Sequence, residues 1–130
     1  RAHVTARISN PAGVEVRVLP SGWEDIREQG LLYLPGAYVV PGGRFNEFYG
    51  WDSHFIHRGV MLSGRFELAR SIVDQALYEV EHYGMVLNAN RTYYLTRSHP
   101  PFLSQMVKLE YLRSPCREWL LMALPLIEKY

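Results

Sequence analysis

The chain has 130 residues, enough for one domain with a real core, and balances 14 Lys and Arg against 13 Asp and Glu for a net charge of +1. That balance gives no reason to expect a nucleic acid or an anionic membrane as partner, and the longest apolar run, residues 119–127, is too short for a membrane span and contains Pro125. A single cysteine, Cys116, excludes an internal disulfide and fits a reducing, cytoplasmic setting.

The chain begins with Arg1, so the natural N-terminus is expected upstream, where a signal peptide would also lie. Residues 14–18 read Val-Glu-Val-Arg-Val, a period of two that predicts a half-buried strand. The turn cluster Ser-Asn-Pro-Ala-Gly at 9–13 precedes it, and residues 3–8 can supply the partner strand of a small N-terminal β hairpin. A short helix is expected after Ser21, closed by Gly30. Residues 31–43 read as extended, proline-punctuated chain, because a residue before proline avoids the helical region.

The second half predicts helices. After Trp51-Asp52, the residues Phe55, Ile56, Gly59, Val60 and Leu62 fit one helix face, which Gly64 ends. The clearest helix follows: Phe66, Ala69, Ile72, Val73, Ala76, Leu77, Val80 and Tyr83 recur at steps of three and four, and Gly84 supplies a left-handed stop. Pro100-Pro101 is expected to open a third helix with Phe102, Leu103, Met106, Val107 and Leu109 on its face. Ser114-Pro115 reads as the cap and first residue of a last helix running to about Lys129, with a kink at Pro125. The expected class is all-α, built from antiparallel helix pairs.

Two loops carry the unusual chemistry. "PGGRFNEFYGWD", residues 41–52, gathers a fixed cation, two carboxylates and aromatic rings at one bend. "MVLNANRTYYLTRSH", residues 85–99, is long for a helix connection, and loops of that length without disorder-prone composition are usually functional. It offers Asn88, Asn90, Arg91, Arg97, Ser98 and His99 just before a helix N-terminus, a place that suits a polar ligand group. Arg, amide, carboxylate and aromatic together suit a neutral polyhydroxyl ligand. Amides and carboxylates fix hydroxyl directions, Arg donates without titrating, and flat rings face the apolar side of a pyranose. Phosphate would call for more cation and less carboxylate, and a base-stacking nucleic-acid site for a basic surface.

Several neighbours read as structural. Gly42 and Gly43 are turn formers, Phe45, Phe48 and Tyr49 core, Tyr93 and Tyr94 packing residues, and Glu47 an arginine-paired brace. His54 and His57 lie three apart near Asp52, but a histidine pair without a second ligand cluster reads as structural, so no metal is assigned.

These stretches resemble a known family. "PGGRFNEFYGWDS" is similar to the first signature of the trehalases, glycoside hydrolase family 37, and "NANRTYYLTRSHPPF" to a second stretch of the same enzymes. "EHYGMVLNANR", "VEVRVLP" and "GLLYLPGAYVVPGGRFNEFYGWD" look most like the cytoplasmic neutral-trehalase branch, so the resemblance covers nearly the whole chain. It implies that residues 1–130 are an early part of an (α/α)6 toroid catalytic domain. It also implies hydrolysis of α,α-trehalose to two glucoses with inversion, one carboxylic acid protonating the bridging oxygen and a carboxylate activating water. The family's acid and base lie in segments further downstream. Gly50-Trp51-Asp52 belongs to the first signature and is not that acid, so no catalytic residue and no cofactor are assigned here. What carries over is substrate binding: Arg44, Trp51, Asp52, Asn88, Arg97, Ser98 and His99, the last standing where the family has Gln. His54 replaces a usual Tyr, and His57-Arg58 a mostly apolar stretch. The rival readings are another (α/α)6 α-glucosidase and a non-catalytic carbohydrate-binding relative.

Overall fold

A computed structural model describes residue 26 and residues 29–130 of the chain. The expected hairpin at 3–18 lies outside the described residues, as does most of the short helix expected after Ser21. The described part is all-α, as expected. An extended segment leads into α1 (Gly50–Leu62) and α2 (Phe66–Tyr83), and a long loop leads into α3 (Leu103–Arg113) and α4 (Arg117–Lys129). Among the described residues the extended segments meet only in isolated antiparallel bridges: Leu31 with Arg91, Gly42 with Phe45, Tyr49 with Ala89, and Leu87 with Ser98.

Helix α2 is the axis of the fold and packs against α1, α3 and α4. Its predicted stripe is buried from Ala69 through Ile72, Val73, Ala76, Leu77 and Val80 to Tyr83, while Phe66 at the helix start is 46% exposed. Each large aliphatic side chain in that stripe contributes about 1.5–3 kcal/mol by leaving water. The helix stops at Gly84, whose φ of 90° is left-handed and whose N–H donates to the Val80 carbonyl at 3.2 Å.

Helix α1 keeps only part of its predicted face: Ile56 and Val60 pack half-buried against the core. Its buried residues are Gly50, Ser53, His54 and His57, while Phe55 is 56% and Leu62 90% exposed. The periodicity misleads because this helix buries polar groups that find partners. Ser53 Oγ donates to the Tyr49 carbonyl at 2.6 Å, His54 stacks on Phe102 at 4.6 Å, and His57 Nε2 meets Glu110 Oε1 at 2.9 Å. Glu110 also accepts from Arg113 at 2.7 Å and from Arg70 Nε at 3.3 Å, so one buried carboxylate ties α1, α2 and α3 together.

The last two helices begin later than expected. Helix α3 buries Leu103, Met106 and Val107 as predicted, but starts after Phe102 rather than at the prolines. Ser114 does not cap α4. Its N–H donates to the Glu110 carbonyl at 3.0 Å, so it closes α3, and α4 starts at Arg117 behind Cys116. Helix α4 continues through Pro125 to Lys129, so the expected kink does not divide it. It buries Ala123 fully and leaves Leu121, Met122 and Leu124 exposed.

Candidate functional site

The first loop turns on its two glycines. Gly42 and Gly43 have φ of 105° and 60°, and Gly42 and Phe45 exchange N–H···O bonds of 3.2 and 3.0 Å. That tight turn carries Arg44 at its exposed tip, the guanidinium 5.2 Å above the Phe45 ring. Of the three aromatics expected in the core, Phe48 is fully buried, but Phe45 is 43% exposed and Tyr49 half-buried. The last two instead form the wall of a cleft.

The second loop is sewn to the first. Asn90 is fully buried. Its Oδ1 accepts the Phe48 N–H at 2.7 Å, its Nδ2 donates to the Leu32 carbonyl at 3.1 Å, and its N–H donates to the Phe48 carbonyl at 3.2 Å. Asn90 therefore belongs to the scaffold rather than to the ligand surface. Arg91 forms the ion pair expected of Glu47, with Nε at 2.8 Å and a terminal nitrogen at 2.7 Å from Oε1, and Tyr49 donates to Oε2 at 3.2 Å. Burial and the Glu47 carboxylate raise the Tyr49 pKa, which keeps the phenol protonated as that donor. Further along, Asn88 N–H donates to the Arg97 carbonyl at 2.8 Å and Gly50 N–H to the Asn88 carbonyl at 3.2 Å. Gly50 is required here: a Cβ would stand 2.6 Å from the Leu87 carbonyl oxygen.

Between the loops lies a cleft of about 270 Å³ lined by Pro41, Phe45, Tyr49, Trp51, Asp52 and His99. It sits at the N-terminus of α1, not of α3 as the sequence order had implied. The Trp51 ring is 43% exposed and stands 5.8 Å from the His99 ring, which stacks on Tyr49 at 6.5 Å. His99 Nδ1 accepts the backbone N–H of Trp51 at 3.1 Å, so it caps α1 from 48 positions away. A backbone N–H can only donate, so Nδ1 is unprotonated and the neutral ring carries its proton on Nε2. Nε2 lies against Asn88 Nδ2, and a proton on Nε2 requires that amide turned about so that its oxygen accepts. Burial lowers the His99 pKa against the opposing pull of Asp52, which keeps the ring neutral.

The structure thus brings Trp51, Asp52 and His99 together on the cleft lining, with Asn88, itself not on that lining, against His99. Arg44, Arg97 and Ser98 stand outside the cleft lining, all three exposed, and the Arg97 side chain makes no hydrogen bond or ion pair among the described residues. Tyr93 is half-exposed and packs edge-on to Tyr94 at 4.6 Å. The paired histidines point elsewhere, His54 to Phe102 and His57 to Glu110, and the described residues hold no group of three or more His, Cys, Asp or Glu suited to a metal ion.

Sequence reading missed Tyr49 and Phe45 as cleft walls, Gly50 as a point of backbone contact, and Glu79. Glu79 is fully buried on α2 and receives the Leu87 N–H at 3.0 Å. Its signal was present, a carboxylate inside the apolar stripe, three residues after Ala76 and four before Tyr83.

Comparison with known proteins shows what the chain is similar to. A cytosolic neutral trehalase of Kluyveromyces lactis is 56% identical over 69 residues, 53% of this chain and 9% of that protein. A periplasmic trehalase of Xanthomonas campestris pv. campestris is 54% identical over 80 residues, 62% of this chain and 14% of that protein. The chain therefore spans about a tenth of the length of the curated relatives it matches. Among solved structures, the neutral trehalase of Saccharomyces cerevisiae superposes with a TM-score of 0.63 at 38% identity, over 78% of this chain and 21% of that one. That protein is an (α/α)6 barrel, and the helix pairs here are part of the same fold. The family model described as trehalase matches residues 8–130, and the chain belongs to the trehalase family.

Proposed function

We propose that the protein carrying this chain hydrolyses α,α-trehalose to two glucoses, and that this segment builds part of its sugar-binding cleft. The observation that supports the reading best is the joining of an exposed indole, a carboxylate and a neutral imidazole, Trp51, Asp52 and His99, around one cleft, with the Asn88 amide against that imidazole. The ring of Trp51 offers a flat face to a pyranose, and Asp52 accepts from hydroxyl groups in fixed directions. The side chain of Arg44 on the neighbouring turn and that of Arg97 on the second loop are unspent donors that a bound sugar can recruit. An inverting hydrolase also needs an acid and a base with a water between them. The resemblance assigns both to segments outside these 130 residues, so the contribution here is binding and orientation. A cytosolic setting agrees with the Kluyveromyces relative, although the Xanthomonas relative is periplasmic.

The test is glucose release from trehalose by the full-length protein and its Asp52→Ala and Arg97→Ala variants. Loss of one partner of a desolvated charge-assisted contact costs about 2–5 kcal/mol, so each variant should lose more than about tenfold in kcat/KM. Parental kinetics in a folded Asp52→Ala protein would contradict the site. Faster turnover of a different α-glucoside would move the assignment to another glycosidase, and sugar binding without turnover to a carbohydrate-binding relative.

A further inference from the structure

We propose that Glu79 is a positioning residue for the sugar-binding loop, fixing through the Leu87 amide where Asn88 and the first turn of α1 stand. The proposal rests on the reading of the cleft as a sugar site and extends it to a group that touches no ligand. Glu79 is 0% exposed, on the face of α2 that otherwise buries Ala76, Val80 and Tyr83. An aliphatic side chain would fill that place without a desolvation cost, so the carboxyl is there for what it binds. It binds the N–H of Leu87, through Oε2 at 3.0 Å.

Leu87 is where the loop meets the rest of the site. It bridges Ser98, and its carbonyl oxygen lies so close to Gly50 that no Cβ fits between them. The next residue, Asn88, accepts the Gly50 N–H through its carbonyl and meets His99 through its amide. Displacing Leu87 therefore displaces Asn88, His99 and the start of α1 together. Without Glu79 the buried Leu87 N–H would be left unmatched or would turn to find another acceptor.

Burial raises the Glu79 pKa well above the ordinary value, only partly opposed by the Leu87 N–H, which favours the uncharged acid. Oε1 has no partner among the described residues, which suits it to carry the proton while Oε2 accepts. What the loop needs from residue 79 is then one neutral acceptor of glutamate length. Glutamine supplies that acceptor, and methionine has similar volume without it.

The experiment compares Glu79→Gln and Glu79→Met in the full-length protein, by hydrogen exchange over residues 85–99 and by kinetics on trehalose. In Glu79→Met the loop amides should exchange at least about tenfold faster, and KM should rise about tenfold with kcat changed less than about threefold. Glu79→Gln should restore both to within about threefold. Unchanged loop exchange in Glu79→Met overturns the proposal. So does a Glu79→Gln protein as loose as Glu79→Met, and so does a rise in KM that glutamine fails to reverse. If Glu79→Met does not fold, Glu79→Gln decides alone, since a folded glutamine variant with a loosened loop also overturns it. Exchange that loosens with methionine and recovers with glutamine, in a protein inactive on trehalose, upholds the positioning role and rejects the trehalose reading.

Discussion

Removing the Glu110 carboxylate should loosen the joint between the first three helices. Glu110 is 0% exposed and holds His57, Arg70 and Arg113 at 2.9, 3.3 and 2.7 Å. In Glu110→Ala the two arginines keep other contacts, because their side chains are 22% and 25% exposed and lie over the Trp119 and Phe66 rings. His57 has no such outlet, being 0% exposed with Nδ1 already unpartnered. Breaking a buried charged contact costs about 3–5 kcal/mol, and re-solvation of the arginines puts the expected loss near the lower figure, about 3 kcal/mol. Glu110→Gln keeps an acceptor and should cost about 1–2 kcal/mol. Burial pushes the Glu110 pKa up, but hydrogen bonds from Arg113 and His57, joined by the Arg113 charge and Arg70, pull it below the ordinary 4.5. A depressed carboxylate stabilises the fold above its unfolded pKa and loses that contribution as pH falls through the folded value. The gap between parent and Glu110→Gln should thus be full at neutral pH and shrink below about pH 4.5. Native-state hydrogen exchange on α1 and α3 amides reads these local opening energies directly. A loss under about 1 kcal/mol in Glu110→Ala, or a gap that does not change with pH, would refute the network as the joint.

Three further substitutions, at two positions, probe the cleft. Gly50→Ala pushes a Cβ against the Leu87 carbonyl oxygen, which is backbone and cannot swing aside, so it should cost about 1–3 kcal/mol in stability and raise KM; an unchanged melting curve would dismiss the close approach. His99→Ala removes the acceptor for the Trp51 N–H and should cost about 1 kcal/mol, whereas His99→Gln can still accept that N–H and should leave KM unchanged or lower. A large loss of activity in His99→Gln would show that the imidazole has a role glutamine cannot fill.

Helix α2 was legible because its buried positions are apolar and recur at helical spacing. Helix α1 was not, because burial there is met by a hydrogen bond with α3 and by stacking on Phe102 just before it, which no local pattern reveals. Ser114 misled for a related reason: the same residue type can close one helix or start the next, and only the Glu110 carbonyl decides. At the site, the family resemblance named Trp51, Asp52, Asn88 and His99 as substrate-binding residues, and the structure sets these four near one another. The resemblance carried over only Asn88, and the loop's residue types alone could not separate Asn90 from Asn88. They are two positions apart on one loop, but one is consumed by three backbone partners and the other faces the cleft residue His99. That distinction depends on contacts with residues 32 and 48, far away in sequence.

The start of α1 also bears on which ligands the cleft refuses. A helix N-terminus ordinarily attracts anions, through free N–H groups and the positive end of its dipole. Here Gly50 and Trp51 have given their N–H groups to the Asn88 carbonyl and to His99, and Asp52 adds a negative charge in the same first turn. A phosphorylated sugar approaching this end meets a carboxylate and two spent donors, while an uncharged sugar meets an acceptor for its hydroxyls. On the proposed sugar reading, this end of the cleft favours the uncharged ligand by charge repulsion rather than by a wall.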